Sequence, residues 1–148
     1  MSGSVTLHGF EPAPAVLDMM AAALKTKKFK SFELNNDSFL DASDGIIFSI
    51  QFAQDHPNLE SFTYMHNPIE SMEDANNLLG CIHLHPSLSK VCLENLYGAG
   101  ANGYNILCSL LSTNGNFKSI NLSSNSIRAM GGTHIPDFRS SNPLIQSL

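Results

Sequence analysis

Three short constellations in this chain of 148 residues carry side chains that could do chemistry. Gly98-Ala-Gly100-Ala-Asn-Gly103 spells G-x-G-x-x-G. At that spacing a tight turn brings backbone N–H groups against a pyrophosphate at a helix N-terminus. Cys81-Ile-His83-Leu-His85 gathers a thiol and two imidazoles on alternate residues, donors that zinc accepts. Cys92 has Lys90 two residues away on the same face of an extended segment, and a neighbouring cation is one way to lower a thiol's pKa.

Each constellation also has a plainer explanation. A dinucleotide site needs an acidic residue near the end of the next strand, where this chain reads Leu122-Ser-Ser-Asn125. Glu94 and Asn95 precede the glycine loop where such a site has an apolar strand, so the glycines serve a strand-to-helix turn. The Cys-His group lacks a second ligand pair at zinc spacing, and His85-Pro86 lies at the same phase as His56-Pro57. Cys92 fits a small surface residue, and Cys81 and Cys108 fit fillers near a core. No Ser-His-Asp, Cys-His or paired-carboxylate arrangement stands out. No catalytic residue, cofactor or metal ligand is therefore assigned, and the chain is read as a non-enzyme.

The elements that position these residues follow from an internal period. Phe29-Lys-Ser-Phe-Glu-Leu, Leu59-Glu-Ser-Phe-Thr-Tyr, Leu88-Ser-Lys-Val-Cys-Leu and Phe117-Lys-Ser-Ile-Asn-Leu align, each with apolar residues at positions one, four and six. Val5 and Leu7 fit an earlier unit, and Ile145 to Leu148 begin a later one. Starts at Phe29, Leu59, Leu88, Phe117 and Ile145 are 30, 29, 29 and 28 residues apart. The last four are each preceded by a Pro or Gly turn signal: His56-Pro57, His85-Pro86, Asn114-Gly115 and Asn142-Pro143.

The second half of each unit changes to helical spacing: Val16, Leu17, Met20 and Leu24; Ile46, Ile47, Ile50 and Ala53; Ala75, Leu78, Leu79 and Ile82; Ile106, Leu107, Leu110 and Leu111. Ser71-Met-Glu-Asp74 has the pattern of a helix start. Gly131, Gly132 and Pro136 interrupt the next unit, where only a short helix carrying Phe138 is expected.

These units resemble leucine-rich repeats of the ribonuclease-inhibitor-like class, with Phe117-Lys-Ser-Ile-Asn-Leu-Ser-Ser-Asn125-Ser-Ile127 the best match. Position nine, normally Asn in that family, is Asn67, Asn125 and Asp37 here; Leu96, beside Asn95, and Phe10 take it in two other units. The resemblance implies an α/β solenoid, a right-handed βα superhelix bent into a horseshoe arc with a parallel sheet on the concave face and helices on the convex face. It also implies one domain over 1–148: about five strand-helix repeats plus a final strand, part of a longer array. One such unit cannot bury its own apolar face, and stacked neighbours can.

With 43% hydrophobic residues the chain can build one continuous core. Its net charge of -5 argues against nucleic acid. Three cysteines without paired spacing suit free thiols in a reducing compartment, and the N-terminus shows no signal-peptide pattern. The most apolar stretch, Gly45 to Ala53, is too short to span a membrane. A cytoplasmic protein with no membrane role is expected. The Asn36-Asp-Ser and Asn121-Leu-Ser triplets then have no glycosylation role.

On such strands positions four and six face the core, and the residues between them face out. The outward columns contain the candidate partner-binding residues: Glu33, Asn35, Thr63, Met65, His66, Lys90, Cys92, Glu94, Asn95, Asn121 and Ser123. Position three is nearly all serine, which fits a need for small residues there. Glu33, Glu60 and Glu94 set against Lys30, Lys90 and Lys118 suggest a mixed-charge surface suited to a protein partner. The expected role is a protein-protein interaction scaffold working through the concave face. The alternatives are a GTPase-activating regulator of the Ran type, by fold-level analogy, and a nucleotide-binding enzyme through Gly98–Gly103. The strand at Ile145 to Leu148 stops before its helix, which leaves self-association through that edge open.

Overall fold

The computed structural model describes residues 3–37, 39, 41–67, 69, 71–94 and 116–121. Strands β1 (Gly3–His8), β2 (Phe29–Asn35), β3 (Ser61–Met65), β4 (Lys90–Glu94) and β5 (Ser119–Asn121) alternate with helices α1 (Pro14–Leu24), α2 (Ala42–Asp55) and α3 (Met72–Leu84). The five strands form one parallel sheet in chain order, β1-β2-β3-β4-β5, so the described fold is α/β. The glycine loop at Gly98–Gly103, the stripe at Ile106–Leu111, the short helix with Phe138 and the strand from Ile145 lie outside the described residues. So do Asn95, Leu96, Ser123 and Asn125.

Strand register follows the phase of the sequence. Phe32 pairs with Phe62, Phe62 with Val91, and Val91 with Ile120, all at position four. Leu34, Tyr64 and Leu93 align likewise at position six. All seven are buried, because side chains alternate across a strand and only one face of this sheet meets the helices. Phe32 stacks on Phe52 of α2 with ring centroids 4.4 Å apart, and on Phe62 of the next strand at 5.4 Å. Burying one such ring contributes about 1.5–3 kcal/mol.

The helix starts have local causes. The Asp41 side chain accepts from Ser43 N at 2.9 Å and caps α2. Ser71 Oγ accepts from Asp74 N at 3.0 Å and caps α3, as the Ser71–Asp74 pattern predicts. Pro14 opens α1, where a missing N–H is tolerated.

The buried face of α2 differs from the stripe expected from Ile46, Ile47, Ile50 and Ala53. Ile47 is 62% exposed, and Phe48 and Phe52 fill the interior with Ile46 and Ala53. The run Ile46-Ile-Phe-Ser-Ile-Gln-Phe52 supports two overlapping helical stripes. The one with the larger rings removes more apolar surface from water and prevails. In α1 the stripe is also narrower than expected: Leu17 is buried, whereas Val16 is 39% exposed.

The turns after the strands are held by position nine. Phe10 N donates to Asp37 Oδ1 at 2.8 Å, and Asp37 N in turn donates to Asn67 Oδ1 at 2.9 Å. Asn67 Nδ2 donates to the carbonyls of Leu34 and Met65 at 3.2 and 3.0 Å. Asp37 therefore serves in the place of Asn. One residue earlier, Gly9, Asn36 and His66 all take left-handed backbone, with φ of 61°, 54° and 56°. That turn favours Gly, and Asn or His among other residues.

Candidate interaction face

The sheet face opposite the helices carries positions three, five and seven. Thr6, Glu33, Thr63, Cys92 and Asn121 sit side by side across five strands. His8, Asn35, Met65 and Glu94 form the next column, and Ser4, Ser31, Ser61, Lys90 and Ser119 the one before. Of the candidates read from sequence, Glu33, Asn35, Thr63, Met65, Lys90, Cys92, Glu94 and Asn121 are thus brought together. Lys90 is exposed and the other seven are half-buried. His66 lies just past β3 in the left-handed turn, where its N–H donates to the Glu94 carbonyl at 2.9 Å. Its position is therefore set by the turn as well as by the surface.

Charge on this face is segregated rather than mixed. Glu33 receives the Asn35 amide at 3.2 Å, and Glu94 receives that of Asn121 at 3.1 Å. Neither carboxylate pairs with a cation among the described residues. Glu60, at the strand starts, pairs with Lys30. The Lys30 hydrogen bond and charge hold the Glu60 carboxyl below its ordinary range, with Lys90 and Lys118 adding to the effect. The reason is register: these lysines occupy positions two and three, whereas Glu33 and Glu94 stand two to five residues further along the strands.

Cys92 lies between these two carboxylates. Burial, then Glu94 and Glu33, push its thiol up to about 11, which the Asn121 hydrogen bond only partly offsets. Lys90 does not activate it, so the reactive-thiol reading fails on local electrostatics. Burial also raises the Cys81 thiol, whose Sγ faces the Ile50 carbonyl at 3.9 Å.

The Cys81-His83-His85 segment does not converge on a point. Both nitrogens of the buried His85 ring are engaged: Nε2 donates toward the carbonyls of Ala53 at 3.2 Å and His56 at 3.1 Å, while Nδ1 accepts from Ser87 N at 3.2 Å. His56 Nε2 meets the Leu24 carbonyl at 3.2 Å in the equivalent place one unit earlier. Each His-Pro dipeptide thus ties its turn to the end of the helix one unit earlier. Among the described residues no group of three or more His, Cys, Asp or Glu could hold a metal ion.

An open groove of about 470 Å³ runs between α2 and α3, lined by Ile50, Gln54, Asn77, Gly80, Cys81, Leu84, His85 and Pro86. Its one imidazole is occupied by backbone, and its thiol is kept protonated by burial. It therefore offers no nucleophile with a base beside it. No helix among the described residues is long and apolar enough to cross a membrane. No family model matches the chain, and no curated protein is significantly similar to it.

Proposed function

We propose that the chain is a leucine-rich repeat protein of the ribonuclease-inhibitor-like class, a βα solenoid in horseshoe form, and that it acts as a non-enzymatic scaffold for a protein partner. The partner sits on the helix-free face of the sheet. The observation that carries this reading is the register. Same-phase residues of neighbouring strands stand side by side, which leaves a continuous polar surface built from Glu33, Asn35, Thr63, Met65, Cys92, Glu94 and Asn121. Parallel strands with one face open and one packed are what a stacked βα array produces, and such arrays use the open face for contact. Polar, half-buried side chains around a central Met65 suit a protein surface better than lipid.

The test is affinity capture from cells with the wild-type chain and two variants. Met65→Ala with Glu94→Ala on the open face abolishes capture. Met19→Ala with Ile47→Ala on exposed helix positions leaves it intact. The reverse pattern would place the interface on the helices.

A further inference from the structure

The open face has two ends of opposite charge, and this polarity defines the chemistry of what it holds. Glu33 on β2 and Glu94 on β4 stand on the same side of the sheet, one strand to either side of β3. Two strand spacings across and two residues along place their Cα atoms roughly 12 Å apart. Among the described residues each receives an amide N–H, from Asn35 and from Asn121, and neither has a cation. Their fields meet over Cys92, whose thiol both of them raise.

At the strand starts the balance is inverted. Lys30, Lys90 and Lys118 all act on the one carboxylate of Glu60, which leaves that rim positive. From Lys90 to Glu94 is four residues of extended strand, roughly 13 Å. The strands spend their backbone groups on one another, so recognition on this face falls to side chains. Complementarity then requires opposite charges spaced as they are here. The phosphates of a nucleic acid would face Glu33 and Glu94, and an apolar lipid surface would have to desolvate them.

We propose that this face takes an extended polypeptide segment that seats a lysine or arginine between Glu33 and Glu94 and an acidic residue four positions away against Lys90 and Lys118. The inference rests on the interaction reading above and names its partner's chemistry. The acidic pair supplies orientation as well as attraction, because a segment laid down in reverse would bring like charges together at both ends.

The test uses the blocked pentapeptide Lys-Ser-Thr-Ser-Glu, titrated into ¹⁵N-labelled full chain and followed by amide shifts. Shifts at Glu33, Thr63, Cys92 and Glu94 are expected, with at least a fivefold weaker Kd in Glu33→Gln/Glu94→Gln. Asp18→Asn/Glu73→Gln, on the helices, changes Kd less than twofold. The neutral peptide Gln-Ser-Thr-Ser-Gln binds at least fivefold more weakly. Equal binding of both peptides at the sheet overturns the charge proposal and leaves the interaction face standing. Shifts confined to α1, α2 and α3 overturn both.

Discussion

Gly45 of α2 and Tyr64 of β3 occupy one space: a Cβ on Gly45 would lie 3.0 Å from Tyr64 Oη and 2.6 Å from Phe39 Cε2. Tyr64 takes the place that Leu34 and Leu93 hold in the adjacent strands, and the missing side chain at Gly45 makes room for the larger ring. Gly45→Ala gains helix propensity, about 1 kcal/mol. It forces Phe39 out of place, an overpacking penalty of about 1–3 kcal/mol. A net loss of roughly 1 kcal/mol in urea unfolding is expected, relieved in Gly45→Ala/Phe39→Leu. No loss in the single variant would show that Phe39 yields freely.

Tyr64 Oη is buried and makes no hydrogen bond among the described residues. Its removal therefore strips away an uncompensated polar group. Tyr64→Phe should leave stability unchanged or raise it by up to about 1 kcal/mol. A clear destabilisation would mean that the hydroxyl has a partner, such as a buried water.

Asp37 stands where Asn67 stands one unit later, and burial raises its carboxyl above the ordinary 3.8 against the opposing pull of the Phe10 and Asn35 N–H groups and of His8. A raised acid binds its proton more tightly when folded, so its contribution to stability is greatest below pH 3.8 and declines as pH rises through the folded pKa. Asp37→Asn lacks this dependence, so wild type should gain on it as pH falls from 7 towards 3. Asp37→Ala should be less stable at both, since the Phe10 N–H loses its acceptor. Thermal melts at the two pH values test this, and a gap independent of pH would refute the assignment.

His85 has the opposite sign. Burial lowers its pKa below 6.5, partly offset by the carbonyls of His56 and Ala53. A depressed base is protonated preferentially in the unfolded chain, so stability is complete above 6.5 and drains away as pH falls. His85→Gln should lose less stability than wild type between pH 7.5 and pH 5. His85→Ala at pH 7.5 should cost about 1–3 kcal/mol, because the Ser87 N–H loses its acceptor and the Ala53 and His56 carbonyls each lose one of two donors. Parallel pH profiles for wild type and His85→Gln would remove His85 from the account.

Cys92 should alkylate slowly. A thiol raised from 9.0 to about 11 carries on the order of 100-fold less thiolate at neutral pH. In a Cys81→Ser/Cys108→Ser background, iodoacetamide labelling at pH 7.5 should quicken severalfold with Glu94→Gln or Glu33→Gln. Labelling as fast as a free thiol in the parent would contradict the local field.

Much of the fold was legible in the chain because it is written in short periods. Position four and six residues such as Phe62, Tyr64, Val91 and Leu93 alternate at period two, and the Ser71 helix start is a four-residue signal, so each could be placed from its neighbours in sequence. The candidate columns followed from the same alternation, and Glu33, Thr63, Cys92 and Asn121 do stand in one row.

What only the tertiary structure decided depends on residues about thirty positions apart. Sequence periodicity could not choose between the Ile47 and Phe52 stripes of α2, since that choice is made by the ring of Phe32 waiting on the sheet. Nor could it show that Asp37 and Asn67 share a chain of hydrogen bonds, or that His85 answers the end of α2. The surface charges count as mixed in the linear chain; strand register sorts them into a positive rim and an acidic centre. Local sequence determines which side chains face outward, and the stacking of strands determines which of those charges become neighbours.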